Sequence, residues 1–146
     1  MENDNRSFYN EILTDHNLRP GHKYDLPDAN LELRGVNPNC GDDITLKLKV
    51  TDGKIENGAF TGDGCAISQA SADMMLDLII GRSTEDALRL SEIFLRMIKG
   101  TVTEAEREEL EEASVLADIS HMPARVKCAV LGWHTMETLL DGPDGG

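Results

Sequence analysis

An α+β domain, with helices packed on one face of a small antiparallel sheet, is the fold class that the sequence predicts, and three observations predict it. Ile44, Leu46, Leu48 and Val50 alternate with Thr45, Lys47 and Lys49, the two-residue period of a strand with one wet face. A turn signal, "TDGK" at 51–54, follows it, and from Ala66 onward the apolar residues recur at three- and four-residue spacings. A helix, a sheet and then several helices is the order of an α+β fold rather than of alternating βαβ units. The 146 residues suit one domain around one core.

Taken in order, Phe8, Ile12 and Leu13 sit at helical spacing behind Ser7, a candidate N-cap, so a short amphipathic helix is expected over 7–16, ended by Pro20 and Gly21. A strand is expected at 31–36, the alternating strand follows from Ile44, and Lys54 to Phe60 return as its hairpin partner. Ile67, Ala70, Met74, Met75, Leu78 and Ile79 give the next helix its apolar face, and Gly81 is a natural stop. Ser83 with Asp86 resembles a capping box with the shorter acid, and Leu90, Phe94, Met97 and Ile98 form a stripe that runs to Gly100. Thr103 with Glu106 repeats the device before "EAEREELEEA", which reads as a helix with a solvated, charged face. Pro123 suits the first position of a last helix, on which Val126, Val130, Trp133 and Leu140 form the core-facing stripe; a frayed acidic tail begins near 141.

Formal net charge is -13, so the surface repels phosphate backbones and anionic membranes, and neither nucleic acid nor membrane is an expected partner. No secretion signal and no apolar run of about 18 residues stands in the sequence, so a soluble, cytoplasmic protein is expected. The three cysteines, Cys40, Cys65 and Cys128, are an odd number, which leaves at least one outside any intramolecular disulfide.

Each cysteine stands at a loop or near the end of an element. Cys65, in "TGDGCAISQAS", is where a strand hands over to a helix, so unpaired N–H groups and the helix dipole favour negative charge on its sulfur. A phosphate loop is the weaker reading there, because the lysine and hydroxyl of the usual motif are missing; a tight turn around an inert thiol is the other. Cys40 lies in "NPNCGDD" with Asp42 two residues on and Gly41 permitting the bend between them. Cys128 follows Arg125 and Lys127 near the start of the last helix, where it either meets local positive charge or joins the apolar stripe as a small hydrophobe. Three thiolates and one carboxylate suit zinc, whose bonds to cysteine sulfur are about 2.3 Å, although the spacings match no zinc finger.

These same stretches carry a resemblance. "NPNCGDDITL", "GDGCAISQASADMM" and "ARVKCAVLGWHTM" resemble the three cysteine motifs of the IscU-like iron-sulfur assembly proteins, and "GRSTEDALRLSEIFLRMIKG" with the helix after it resembles the insertion of the SufU branch. The likeness runs from the N-terminal helix to about Leu140, with the insertion at about 82–118 of a single domain, 1–146. It implies an IscU/SufU-like α+β fold and a zinc held by Cys40, Asp42, Cys65 and Cys128. It also implies a sulfurtransferase role: sulfur is received as persulfide on Cys40 from a PLP-dependent, SufS-type cysteine desulfurase and passed to downstream iron-sulfur assembly proteins. The expected route is ligand exchange: as the desulfurase docks, one of its side chains would take the place of Cys40 on the metal and free the thiolate, with Arg125 expected to steady the anionic sulfur or hold Asp42.

Lys127 stands where scaffold-type members commonly have histidine before the third cysteine, which favours relay over a scaffold carrying an iron-sulfur cluster. The scaffold is the runner-up, and a non-catalytic, zinc-stapled adaptor of the desulfurase is the third reading. His121 and His134 are spare candidates for the metal.

Overall fold

The structure, a computed structural model, describes residues 14–16, 18, 20–38, 41–119 and 122–141. Of the expected N-terminal helix, residues 14–16 are helical, whereas Ser7, Phe8, Ile12 and Leu13 lie outside the described residues, as do Cys40, His121 and the tail beyond Asp141.

Three antiparallel strands, β1 (Leu31–Asn37), β2 (Asp42–Thr51) and β3 (Lys54–Asp63), form one sheet in the order β1-β2-β3. The two-residue period works as expected: Ile44, Leu46 and Leu48 are fully buried, while Thr45, Lys47 and Lys49 are half-buried on the other face. Asp52 and Gly53 close the β2-β3 hairpin with φ of 52° and 76°, the pair of positive angles that a two-residue mirror-image turn demands and that Asp-Gly tolerates. Asn37 pairs with Asp42 across β1 and β2, and Ile44 pairs with Gly62 across β2 and β3. One end of the sheet therefore brings together the start of β2, the end of β3 and the connection that carries Cys40.

Helices α1 (Ala66–Ile79) and α4 (Pro123–Leu140) lie against the sheet and against each other, and α2 (Thr84–Lys99) packs on α4. Gly132 of α4 lies so close to Ala72 of α1 that an added Cβ would stand 3.4 Å from the alanine Cβ. Small residues thus let the two helices approach. Trp133, fully buried, stacks on Phe94 of α2 with ring centroids 4.2 Å apart, and its indole N–H donates to Ser71, whose hydroxyl donates to the Ala129 carbonyl. Every polar atom of that cluster is therefore paired, as burial requires.

Three local expectations need correction. Ser83 caps α2 by accepting from the Asp86 N–H, but the Asp86 carboxylate turns to Arg82 and Arg89, so the reciprocal half of a capping box is not made. The full box forms at Thr103 and Glu106, which start α3 (Glu104–Glu109). The charged segment is not one solvated helix: after α3 the backbone turns at Glu111, φ 52°, into a 3-10 helix, Glu111–Ile119. Leu110, Ala113, Leu116 and Ile119 are all buried, a spacing of three that matches three residues per turn. Finally, the buried face of α4 is Cys128, Ala129, Gly132, Trp133, Met136 and Leu140, whereas Val126 and Val130 are only half-buried. The close approach to Ala72 rotates the stripe. Among the described residues no helix is long and apolar enough to cross a membrane.

Candidate metal centre

Asp42, Cys65 and Cys128 converge at the end of the sheet, with one donor atom from each within 4.8 Å of the others. Three different elements deliver them. Asp42 opens β2 and is fully buried; Cys65 is the N-cap of α1; Cys128 is one turn into α4 and 2 % exposed.

Cys65 takes the extended cap conformation, φ -70° and ψ 167°, and its sulfur accepts from the Ser68 N–H at 3.4 Å. A thiol thus fills the place that serine, threonine or aspartate usually takes at a helix start, and a free helix N–H points at it. The Cys65 N–H in turn donates to Asp42 Oδ1 at 2.7 Å, which locks the carboxylate beside the sulfur. Asn37 reaches the same point from β1, with its Nδ2 3.5 Å from Asp42 Oδ2 and 4.0 Å from Cys128 Sγ. The Cys128 thiol also lies 3.5 Å from the Ala124 carbonyl of its own helix.

Gly64 shows how tightly this end is built. A Cβ there would stand 2.9 Å from Asp42 Oδ1 and would collide with the Ser68 hydroxyl, so the glycine leaves the space that the carboxylate fills. The donor set fits zinc on the chemistry of its atoms: two sulfurs and a carboxylate oxygen are borderline ligands of the kind that ion takes. Charge gives a second reason. Asp42 is fully buried, and among the described residues no lysine or arginine forms an ion pair with it. A buried carboxylate beside two thiols leaves negative charge that a dication would neutralise.

The residues expected from the sequence divide as follows. Asp42, Cys65 and Cys128 are brought together; Cys40 lies outside the described residues, in the connection between the paired Asn37 and Asp42. Arg125 is exposed in the first turn of α4. His134 is exposed and pairs with Glu137 at 3.3 Å; His121 lies outside the described residues. Sequence reasoning missed Asn37 and Ser68, since a side-chain amide two residues before Asn39 and a backbone N–H on a helix carry no signature of their own. A capping offset of three residues from Cys65 to Ser68 was the one available sign.

Fold and site together define a small α+β protein that gathers thiols and a buried carboxylate into a candidate metal centre at one end of its sheet. The family model for the NifU-like N terminal domain matches residues 8–139, and the chain belongs to that family. Among its relatives, the iron-sulfur cluster assembly scaffold protein IscU of Streptococcus pyogenes serotype M1 is 43% identical over 132 residues, 90% of this chain and 82% of that one. The zinc-dependent sulfurtransferase SufU of Bacillus subtilis (strain 168) is 36% identical over 140 residues, 96% of this chain and 94% of that one. The crystal structure of FiSufU from Fervidobacterium islandicum AW-1 superposes with a TM-score of 0.84 at 32% identity, covering 89% of this chain and 94% of that one.

Proposed function

We propose that this chain is a zinc-dependent sulfur-relay protein of iron-sulfur cluster assembly, which takes persulfide sulfur from a PLP-dependent cysteine desulfurase and passes it to downstream assembly proteins. The observation that carries the reading is the convergence of Asp42, Cys65 and Cys128 at the point where the chain leads into Cys40. The near full-length likeness to the Bacillus subtilis sulfurtransferase supports it. In this reading Cys40, Asp42, Cys65 and Cys128 hold the zinc, which when bound supplies a positive charge that keeps thiols as thiolates. Residues 82–118 act as the insertion that distinguishes the branch.

Each residue then has a task. The Cys40 thiolate attacks the outer sulfur of the donor's persulfide; a new S–S bond forms on Cys40, the donor's S–S bond breaks, and the donor cysteine leaves as thiolate. No external oxidant or reductant is needed, because one sulfur changes carrier. Cys65 and Asp42 are tied to each other by the N–H bond, so in this reading they remain as anchors while Cys40 is the ligand that leaves the metal. Arg125, exposed beside α4's start, is available to a persulfide anion arriving from solvent.

A cluster-scaffold reading is favoured by one observation, the naming of the 43% identical Streptococcus pyogenes relative as a scaffold. Against it, Lys127 precedes Cys128 and is exposed, and an ammonium there is no substitute for an imidazole ligand. Metal content, visible absorbance and desulfurase turnover with and without the purified protein separate the readings. Colourless zinc protein that accelerates turnover and gains sulfur on Cys40 is the expected result. A stable brown cluster handed to an apo-protein would replace relay by scaffold, and acceleration without any cysteine modification would leave only an adaptor.

A further inference from the structure

The sulfur end uses the first turn of α1, while a second cluster of ligating side chains stands farther along the same helix. Asp73 and Asp77, one turn apart, face His16 from the N-terminal segment, and one donor atom from each of the three lies within 4.8 Å of the others. His16 and Asp73 are 8 % and 2 % exposed. His16 Nδ1 lies 2.7 Å from Asp73 Oδ2, while its other nitrogen, Nε2, lies 2.7 Å from Glu112 of the 3-10 helix. The remaining oxygen of Asp73 accepts the His22 N–H at 2.9 Å, and His22 Nε2 lies 2.6 Å from Asp77 Oδ1.

The geometry points to a second divalent-cation site, of nitrogen and oxygen donors, built from His16, Asp73 and Asp77. Four features support this. The donor set, one imidazole and two carboxylates, would make a charge-neutral site with a dication, and it suits zinc and its neighbours in the transition series. The supporting groups are those such a site requires: Glu112 receives the far nitrogen of the imidazole, and the His22 N–H orients the Asp73 carboxylate. There is also a way in, because the Asp77 side chain is 55% exposed while its two partners are covered. Finally, among the described residues the buried Nδ1 of His22 has no hydrogen-bond partner, so the ring of a fourth potential donor has a nitrogen uncommitted to them.

Around one zinc-sized ion, neighbouring nitrogen and oxygen ligands stand about 3.3 Å apart. A rotamer shift of the half-exposed Asp77 is the adjustment needed to close the shell. Without a cation, a proton does the bridging: burial opposes the charge on His16, yet Asp73 and Glu112 raise its pKa above the usual value. The consequence of metal binding is structural, since one ion would fasten the segment carrying His16 to α1 without using any cysteine.

Cobalt separates the two sites by colour. The full chain, stripped of metal, is titrated with Co(II); thiolate ligands give sulfur-to-cobalt charge-transfer bands in the near ultraviolet, whereas a nitrogen and oxygen site gives only weak visible bands. Two equivalents are expected, one with and one without charge transfer. Asp77→Asn, at a half-exposed position, should weaken the second equivalent by roughly 10- to 100-fold and leave the first unchanged, and His16→Gln should do the same. The absence of any equivalent without charge transfer in the natural chain, or one that survives both substitutions, would overturn the inference. Absence of the charge-transfer bands would count against the cysteine site alone, and so against the relay reading, without touching this one.

Discussion

The start and the middle of α1 hold their negative charge in different ways. At its start, the Ser68 N–H donates to the Cys65 sulfur and the Cys65 N–H to the Asp42 carboxylate, and the Asn37 amide lies beside both Asp42 and Cys128, whose thiol also meets the Ala124 carbonyl. Farther along, Asp77 faces the imidazole of His22, and Asp73 faces that of His16, whose pKa burial opposes but Asp73 and Glu112 raise above the usual value. Among the described residues no lysine or arginine forms an ion pair with Asp42, so a dication is the charge that would complement this carboxylate. A site with histidines can stand as an ion pair when empty, so it contributes to the fold even without a metal. The same helix therefore presents a centre suited to chemistry at one end and a fastening point in its middle.

The largest effect that would sharpen this contrast is at the sulfur end. Cys40→Ala should lower persulfide acceptance and stimulation of the desulfurase to background while the thermal midpoint changes little. Near-normal transfer, read by mass spectrometry of the trapped persulfide, would move the acceptor to Cys65 or Cys128.

At the fastening point the loss should be in stability instead. Asp73→Ala leaves the buried His16 and the His22 N–H without their acceptor, so urea unfolding should show a cost of about 3 kcal/mol, in the range for breaking a buried ionic pair. Zinc held by the cysteines should stay. If the variant instead unfolds as the natural chain does, the cluster is not a fastening point.

Gly64→Ala tests how closely the sulfur end is packed. The added methyl would press on Asp42 Oδ1 and Ser68, so a destabilisation of about 1–3 kcal/mol should come with faster loss of zinc to a chelator. Unchanged zinc release would separate the carboxylate from the metal.

The smallest effect lies away from both clusters, at the cap of α3. The Arg96 guanidinium beside Glu106, helped by the Thr103 N–H, holds the Glu106 carboxyl down at about 2, against an ordinary 4.5. A depressed carboxyl stabilises the fold above its unfolded pKa and loses that contribution as pH falls toward its folded one. Natural protein should therefore lose stability between about pH 4.5 and 2 through this group, and Glu106→Gln should flatten that part of the profile. Both clusters on α1 should be unaffected, since the hydrogen bonds of the half-buried Glu106 go to Arg96 and Thr103, which belong to neither. An identical acid profile in the variant would show that the box contributes nothing measurable.

Much of this was legible in the sequence because it depends on neighbours along the chain. The β2 alternation, the Asp-Gly turn, the caps at Ser83 and Thr103 and the stop at Gly100 are rules of local geometry, and they hold in the structure. The three cysteine motifs marked the family for the same reason, as short ordered stretches. What escaped involves surfaces meeting. The stripe of α4 turned toward Cys128 and Gly132 because Ala72 lets the two helices close, and the charged segment broke at Glu111 because Leu110, Ala113, Leu116 and Ile119 bury at a spacing of three.

By itself, then, the sequence determined an α+β order, the helix start at Cys65, the family and the residue types for a thiolate centre. Only the tertiary structure decided that Asn37 and the Ser68 N–H point into that centre, that Asp42 is buried against the Cys65 N–H, and that His16 meets Asp73 and Glu112. The physical reason is range. Periodicity and capping are set within a few residues, whereas His16 is 57 positions from Asp73 and 96 from Glu112, and only packing of the whole chain brings such groups to hydrogen-bond distance.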